Sequence, residues 1–130
     1  DSKSTTPDST IKAIETIMNT DNKIILIMGG KSKKVNTYSI VFKFLNESGI
    51  DIQKIYCYGD SNKEAVKEGN KCKLDLKIFK NLYQVVNNIK QNCFKKTTIL
   101  FSPGFSSYDQ FNNYMERGKY FDMLVRTYLI

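Results

Sequence analysis

Apolar positions along the chain fall into two alternating patterns, stripes at helical spacing and short continuous runs. The stripes predict helices over residues 10–18, 38–48, 61–67, 76–91 and 109–128. The continuous runs predict strands over residues 23–28, 52–58 and 97–101, with a further short strand at 70–73. Buried strands joined by helices favour an α/β fold, a three-layer α/β/α Rossmann-like domain with a mainly parallel sheet.

The length of 130 residues fits a single domain that covers residues 1–130. The sequence opens with Asp1 rather than Met, and its first residues have no hydrophobic period. We therefore expect a domain cut from a longer protein, whose active site is completed by parts that this sequence lacks.

The composition limits the chemistry that the chain can perform. It has no His, which excludes His-based acid–base catalysis and His metal ligation within it. Its three cysteines, Cys57, Cys72 and Cys93, have neither disulfide nor zinc spacing, so we expect free thiols in a reducing, cytoplasmic compartment and no metal site. The longest apolar run, residues 24–28, is far shorter than a membrane span.

The chain is basic, with 20 Lys and Arg against 13 Asp and Glu and a net charge of +7. Such a charge occurs in nucleic-acid-binding proteins, but these lysines are scattered and mixed with asparagines, which is typical of a compositional bias. We therefore expect neither a nucleic-acid nor a membrane partner. One local cluster, at Lys31, Lys33 and Lys34, indicates a small anionic ligand.

In parallel α/β sheets, ligands bind beyond the carboxyl ends of the strands, which directs attention to the loop after Met28. This glycine loop, residues 29–34, begins with two glycines and carries three lysines. Glycines let the backbone approach a ligand closely, and lysines suit a carboxylate or a phosphate. The loop matches neither a P-loop nor the dinucleotide fingerprint, and an ordinary solvated turn is an equally good interpretation.

The same rule selects the loop after Phe101, where a strand ends and the last helix begins. Ser107 with Gln110, or Ser106 with Asp109, has the spacing of a capping box. The free N–H groups of a helix start favour anions, and a serine hydroxyl adds a hydrogen bond. Serines that only cap the helix remain the alternative interpretation.

Three segments taken together resemble the C-terminal domain of the Mur ligase family, in particular the members that add D-glutamate. Residues 1–6, DSKSTT, resemble the hinge motif N-D-S-K-A/G-T-N, and residues 29–33, GGKSK, resemble the loop G-G-x-D/G-K. Residues 101–111, FSPGFSSYDQF, resemble the motif L-S-P-A-x-A-S-x-D-Q-F, which an aromatic residue and R-G follow, here Tyr114 and residues 117–118. The resemblance covers essentially the whole chain, and the last motif is the most specific.

The resemblance implies a part of an ATP-dependent ligase of peptidoglycan synthesis, and hence of cell-wall biogenesis, cell shape and cell division. Such an enzyme forms an amide between D-glutamate and UDP-MurNAc-L-alanine. ATP and Mg²⁺ would be bound mainly by a central domain that is absent from this chain. The chain itself would be a monomer and would be inactive alone. A stand-alone nucleotide- or anion-binding module of Rossmann-like fold is the alternative.

The resemblance also implies roles for particular residues. Lys33 would pair with a carboxylate of D-glutamate, Ser107 and the backbone near Tyr108 would hydrogen-bond the same substrate, and Tyr114 would pack beside it. Lys3 and Thr5 would reach the region between substrate and phosphate, and Asp1 would contact the nucleotide.

Overall fold

The computed structural model describes residues 1–18, 22–32, 36–92 and 94–130. Its helices are α1 (Pro7–Ile17), α2 (Thr37–Ser48), α3 (Asn62–Cys72), α4 (Leu82–Asn92) and α5 (Tyr114–Tyr128), and its strands are β1 (Lys23–Gly29), β2 (Ile52–Tyr58), β3 (Leu76–Phe79) and β4 (Thr97–Gly104). The strands form a sheet in the order β3-β2-β1-β4, and each neighbouring pair is parallel. The predicted α/β class with a parallel sheet is therefore confirmed.

Two apolar clusters lie on opposite faces of the sheet and make it the middle layer. Along β1, Leu26 and Met28 pack with α1 and α2 on one face, whereas Ile25 and Ile27 pack with α4 and α5 on the other. Side chains of a strand alternate between faces, so a strand covered on both faces must be apolar throughout. This burial explains the continuous run that predicted β1.

Two of the helix ends have clear capping features. Gly49 follows α2 with φ 69°, in the left-handed conformation that commonly ends a helix. Helix α1 begins at Pro7, earlier than predicted, because Thr6 and Ser9 form a reciprocal capping box.

The region between β2 and α4 differs from the prediction. Residues 70–72 belong to α3 rather than to a strand, and Lys73 follows as the C-cap with φ 55°. Residues 76–79 form strand β3 rather than the start of a helix, because they pair in parallel with residues 55–58 of β2. The true start of α4 is marked by Asn81, whose side-chain oxygen accepts a hydrogen bond from the N–H of Gln84 at 3.0 Å.

The last predicted helix also begins later than expected. Strand β4 continues to Gly104, and α5 begins at Tyr114 after Asn113, whose side-chain oxygen accepts the N–H of Glu116 at 2.8 Å. The predicted capping boxes at Ser106 and Ser107 are therefore wrong. Residues 105–113, here called the late loop, form turns in which Ser107 O accepts N–H groups from residues 110 and 111.

The cysteines are consistent with the expectation of thiols where the structure describes them. Cys57 is buried and free, and Cys72 is half-buried and free. Cys93 lies outside the described residues.

Candidate functional site at the carboxyl edge of the sheet

The glycine loop and the late loop contact each other where β1 and β4 end. Lys31 N–H donates to Ser106 O at 3.0 Å. Gly30 has φ +141°, and a Cβ atom there would overlap Ser106 O and approach Phe105 Cβ to 2.8 Å. The second glycine is thus required by the contact between the two loops.

A third loop, residues 59–61 after β2, holds the other side of the glycine loop. Ser61 N–H donates to Gly30 O at 3.0 Å. The carboxylate of Asp60 accepts Ser32 N–H at 2.9 Å, and the Ser32 hydroxyl donates to Asp60 O at 3.0 Å. The described part of the glycine loop is therefore held by its neighbours on both sides.

Two polar residues of the late loop grip the neighbouring strand ends. Asp109 accepts the N–H of Asp60 on its carboxylate at 3.1 Å, and Gln110 donates from Nε2 to Lys80 O at 2.6 Å. Burial, with a smaller contribution from the charge of Asp60, raises the pKa of Asp109 although backbone N–H groups oppose the shift. Asp109 and Gln110 therefore serve to assemble the edge.

The opening segment, residues 1–6, lies along the end of β4. Gly104 N–H donates to Ser4 O at 2.9 Å, and the amino group of Asp1 donates to Phe101 O. The hydroxyls of Ser4 and Thr10 are hydrogen-bonded at 3.0 Å in the buried space beneath. A shallow hollow of about 250 Å³ opens beside the segment and is lined by Asp1, Lys3, Ser4 and Ser9.

Arg117 joins the opening segment to the late loop, although its side chain is fully buried. It donates from Nη1 to Phe105 O at 2.8 Å, from Nη2 to Ser2 O at 2.7 Å and from Nε to the Ser2 hydroxyl at 3.1 Å. Burial lowers the pKa of Arg117, and nearby Tyr58 and Asp109 oppose that shift. A guanidinium with backbone partners on two segments acts as a clamp between them.

Most of the predicted site residues come together at this edge. Tyr108 is exposed, Tyr114 is 37% exposed, and the Ser2 hydroxyl donates to Tyr114 O at 2.7 Å. Asp1 and Lys3 are exposed and Thr5 is half-buried, whereas Ser107 is buried. Lys33 lies outside the described residues, next to Ser32.

One of the predicted features of the site, a helix start at Ser107, is not formed. Ser107 is not at a helix start, because α5 begins at Tyr114 and its first turn is capped by Asn113. The predicted anion site at a helix start beside Ser107 is therefore wrong. Within the four described ranges, no group of three His, Cys, Asp or Glu could hold a metal ion.

Sequence reasoning assigned no functional role to Asp60 or Arg117, and it treated Asp109 only as a candidate partner of Ser106 in a helix cap. Asp109 and Arg117 stand in the late motif, so the motif carried the signal. Asp60 follows the carboxyl end of β2. The rule that ligands of parallel sheets bind beyond the carboxyl ends of the strands applies to every strand, so it could have drawn attention to Asp60 as well.

No protein-family model matches the full chain. Curated proteins named "UDP-N-acetylmuramoylalanine--D-glutamate ligase" are similar to it. The protein from Aquifex aeolicus is 35% identical over 98% of this chain. The proteins from Buchnera aphidicola subsp. Baizongia pistaciae and Prochlorococcus marinus are 39% identical over 97% of the chain and 38% identical over 96% of it, respectively. The chain is thus similar, over nearly its whole length, to ligases of this name.

The similarity covers only one region of these ligases. The chain spans 29%, 27% and 26% of the length of these three relatives. The resemblance of the three segments to Mur ligases is thus confirmed.

No helix in the described part of the chain is long and apolar enough to cross a membrane.

Proposed function

We propose that this chain is the C-terminal domain of a ligase that joins D-glutamate to UDP-MurNAc-L-alanine with ATP, in peptidoglycan synthesis. The observation that carries the proposal is the similarity of nearly the whole chain to ligases named for D-glutamate. The meeting of the opening segment, glycine loop and late loop at one sheet edge supports it.

The proposed reaction has two steps. The carboxylate of UDP-MurNAc-L-alanine takes the γ-phosphoryl group of ATP, and ADP leaves. The amine of D-glutamate then attacks the carbonyl carbon of the acyl phosphate and loses a proton, the amide C–N bond forms, and phosphate leaves with the electrons of the C–O bond. ATP and Mg²⁺ would be held mainly by a central domain absent from this chain, as the resemblance to Mur ligases implies.

This domain would supply much of the D-glutamate site. Lys33 pairs with one carboxylate, while Ser107 and the backbone near Tyr108 bind the same substrate and Tyr114 packs beside it. Lys3 and Thr5 reach the region between substrate and phosphate, and Asp1 contacts the nucleotide. This assignment requires the exposed Lys3 and Tyr108 to face the other substrates across a cleft.

The exposed position of Asp1, Lys3 and Tyr108 predicts a half-site that works only when it is closed. Exposed charge pairs contribute about 0–1 kcal/mol each, so the isolated domain would bind D-glutamate weakly and be inactive alone. Closure over ATP would exclude water and align the amine with the acyl phosphate, and alignment supplies a large share of catalysis. The parent ligase would act in the cytoplasm as a monomer.

The test is Lys33→Ala in a complete ligase that contains this chain. We expect the KM for D-glutamate to rise about tenfold or more, because a charge-assisted pair to the substrate is lost. Lys43→Ala, at an exposed lysine of α2, is the matched control and should leave the KM unchanged. An unchanged KM in the Lys33 variant would remove that residue from the site.

A second measurement separates the proposal from a stand-alone nucleotide-binding module. We expect an NMR titration of the isolated chain to show at most weak binding of ATP. Millimolar or tighter binding of ATP by the chain alone would favour the module instead.

A further inference from the structure

Ser2 is placed where the opening segment, α5 and the late loop meet. Its hydroxyl accepts a hydrogen bond from Arg117 Nε at 3.1 Å and donates one to Tyr114 O at 2.7 Å. Its carbonyl oxygen accepts a third bond, from Arg117 Nη2 at 2.7 Å. A single half-buried serine thus connects the first turn of α5 with the opening segment.

The shape of α5 allows this close approach. A Cβ atom added at Gly118 would lie 3.0 Å from Ser2 Cβ, which is tighter than ordinary van der Waals contact. Gly118 lies within α5, where a glycine normally weakens a helix. The close contact with Ser2, which a side chain would obstruct, explains why a glycine occurs there. Arg117 and Gly118 therefore form the position that Ser2 occupies, here called the seat of Ser2. Arg117 donates hydrogen bonds to Ser2, and the missing side chain of Gly118 leaves room for it.

The seat is continuous with the late loop. The remaining bond of Arg117 runs from Nη1 to Phe105 O at 2.8 Å, two residues before Ser107. Because the guanidinium is fully buried, its planar donors fix Ser2 and Phe105 relative to each other. The position of Ser2 is thereby tied to the loop that carries Ser107 and Tyr108.

We infer that Ser2 is a positioning residue for the D-glutamate site. It holds the segment that carries Lys3 and Thr5 against Tyr114 and, through Arg117, against the loop of Ser107. The inference rests on the proposed function for its effect on substrate. It assigns Ser2 no contact with the reacting groups.

The first test uses Ser2→Ala in a complete ligase that contains this chain, with Ser48→Ala as the matched control. Ser48 is also half-buried and donates its hydroxyl to a helix carbonyl, that of Leu45 at 3.2 Å. We expect Ser2→Ala to raise the KM for D-glutamate about tenfold, as the loss of one or two hydrogen bonds predicts, with a smaller change in kcat. The control should leave both constants at the wild-type values.

The second test needs no ligase activity. In the ¹⁵N-labelled chain, Ser2→Ala should shift the Arg117 Nε–H signal and the backbone amide signals of Ser107, Tyr108 and Tyr114, while Ser48→Ala should leave them in place. Wild-type positions for these four signals in Ser2→Ala would overturn the inference, as would an unchanged KM. A wild-type complete ligase that does not add D-glutamate would overturn the proposed function, and the signal shifts would still support the anchoring role of Ser2.

Discussion

The carboxylate of Asp109 accepts a hydrogen bond from the backbone N–H of Asp60 at 3.1 Å, across the gap between the late loop and the end of β2. Asp60 in turn accepts Ser32 N–H on its own carboxylate at 2.9 Å. The two contacts form a chain from the late loop to the glycine loop. Asp109, an acidic residue of the most specific motif, thus holds the backbone of a neighbouring loop by a hydrogen bond.

Asp109 makes the stability of the domain depend on pH. Its pKa is raised, mainly by burial, so the folded state binds its proton more readily than the unfolded state does. This difference stabilises the folded state at pH values below the pKa that Asp109 has in the unfolded chain. The stabilisation is lost as the pH rises through the pKa that Asp109 has in the folded chain. Urea unfolding of wild type and Asp109→Asn at a series of pH values should show the wild type losing free energy of unfolding relative to the variant across that window. A relative gain with rising pH would contradict the assignment.

Gly30→Ala should destabilise the chain more than Gly49→Ala. Both glycines have positive φ, at +141° and +69°, but a Cβ at Gly30 would overlap Ser106 O while nothing lies within 4 Å at Gly49. The control should lose about 1–2 kcal/mol from backbone strain. Overlap adds to the strain at Gly30, so a loss of about 3 kcal/mol or more is expected from denaturant unfolding. Equal losses would show that the two loops do not meet as described.

Arg117→Met should lower the free energy of unfolding by about 3 kcal/mol, because three hydrogen bonds from a buried guanidinium disappear together. Arg126→Met is the matched control, since Arg126 pairs with Asp122 at 2.8 Å where the two side chains are 73% and 63% exposed. An exposed pair of this kind should contribute about 0.5 kcal/mol or less. Similar losses in the two variants would contradict the clamp.

Cys57 should resist thiol reagents in the folded chain. Burial raises its pKa to about 12, so hardly any thiolate exists at neutral pH, although a hydrogen bond with Tyr38 opposes the shift. Mass spectrometry of the peptide containing Cys57 should find the label only after unfolding. Labelling of Cys57 at pH 7 in the native chain would show that the core opens readily.

The strongest predictions from sequence were those in which one pattern had one structural meaning. Residues 24–28 are apolar without interruption, and a strand covered on both faces needs that. Gly49 ends its helix in the left-handed conformation that its residue type favours. Local chemistry decides such features, so no knowledge of distant residues is needed.

The weakest predictions concerned patterns with two meanings. Ile78 and Phe79 continue the helical spacing of Leu82, yet they lie in β3 because pairing with β2 outweighs the local pattern. Ser107 has the spacing of a helix cap, yet the helix begins at Tyr114 because the late loop makes its backbone bonds within its own turns. Lys33 was chosen by resemblance and stays a prediction.

The sequence by itself determined the α/β class and the similarity to Mur ligases, because apolar periodicity and short motifs are local properties of the chain. The tertiary structure alone decided how that edge is assembled, through the buried guanidinium of Arg117, the Asp60–Asp109 contact and the seat of Ser2. Those contacts join residues that lie far apart in sequence, so their geometry depends on the folded sheet that brings the strand ends together.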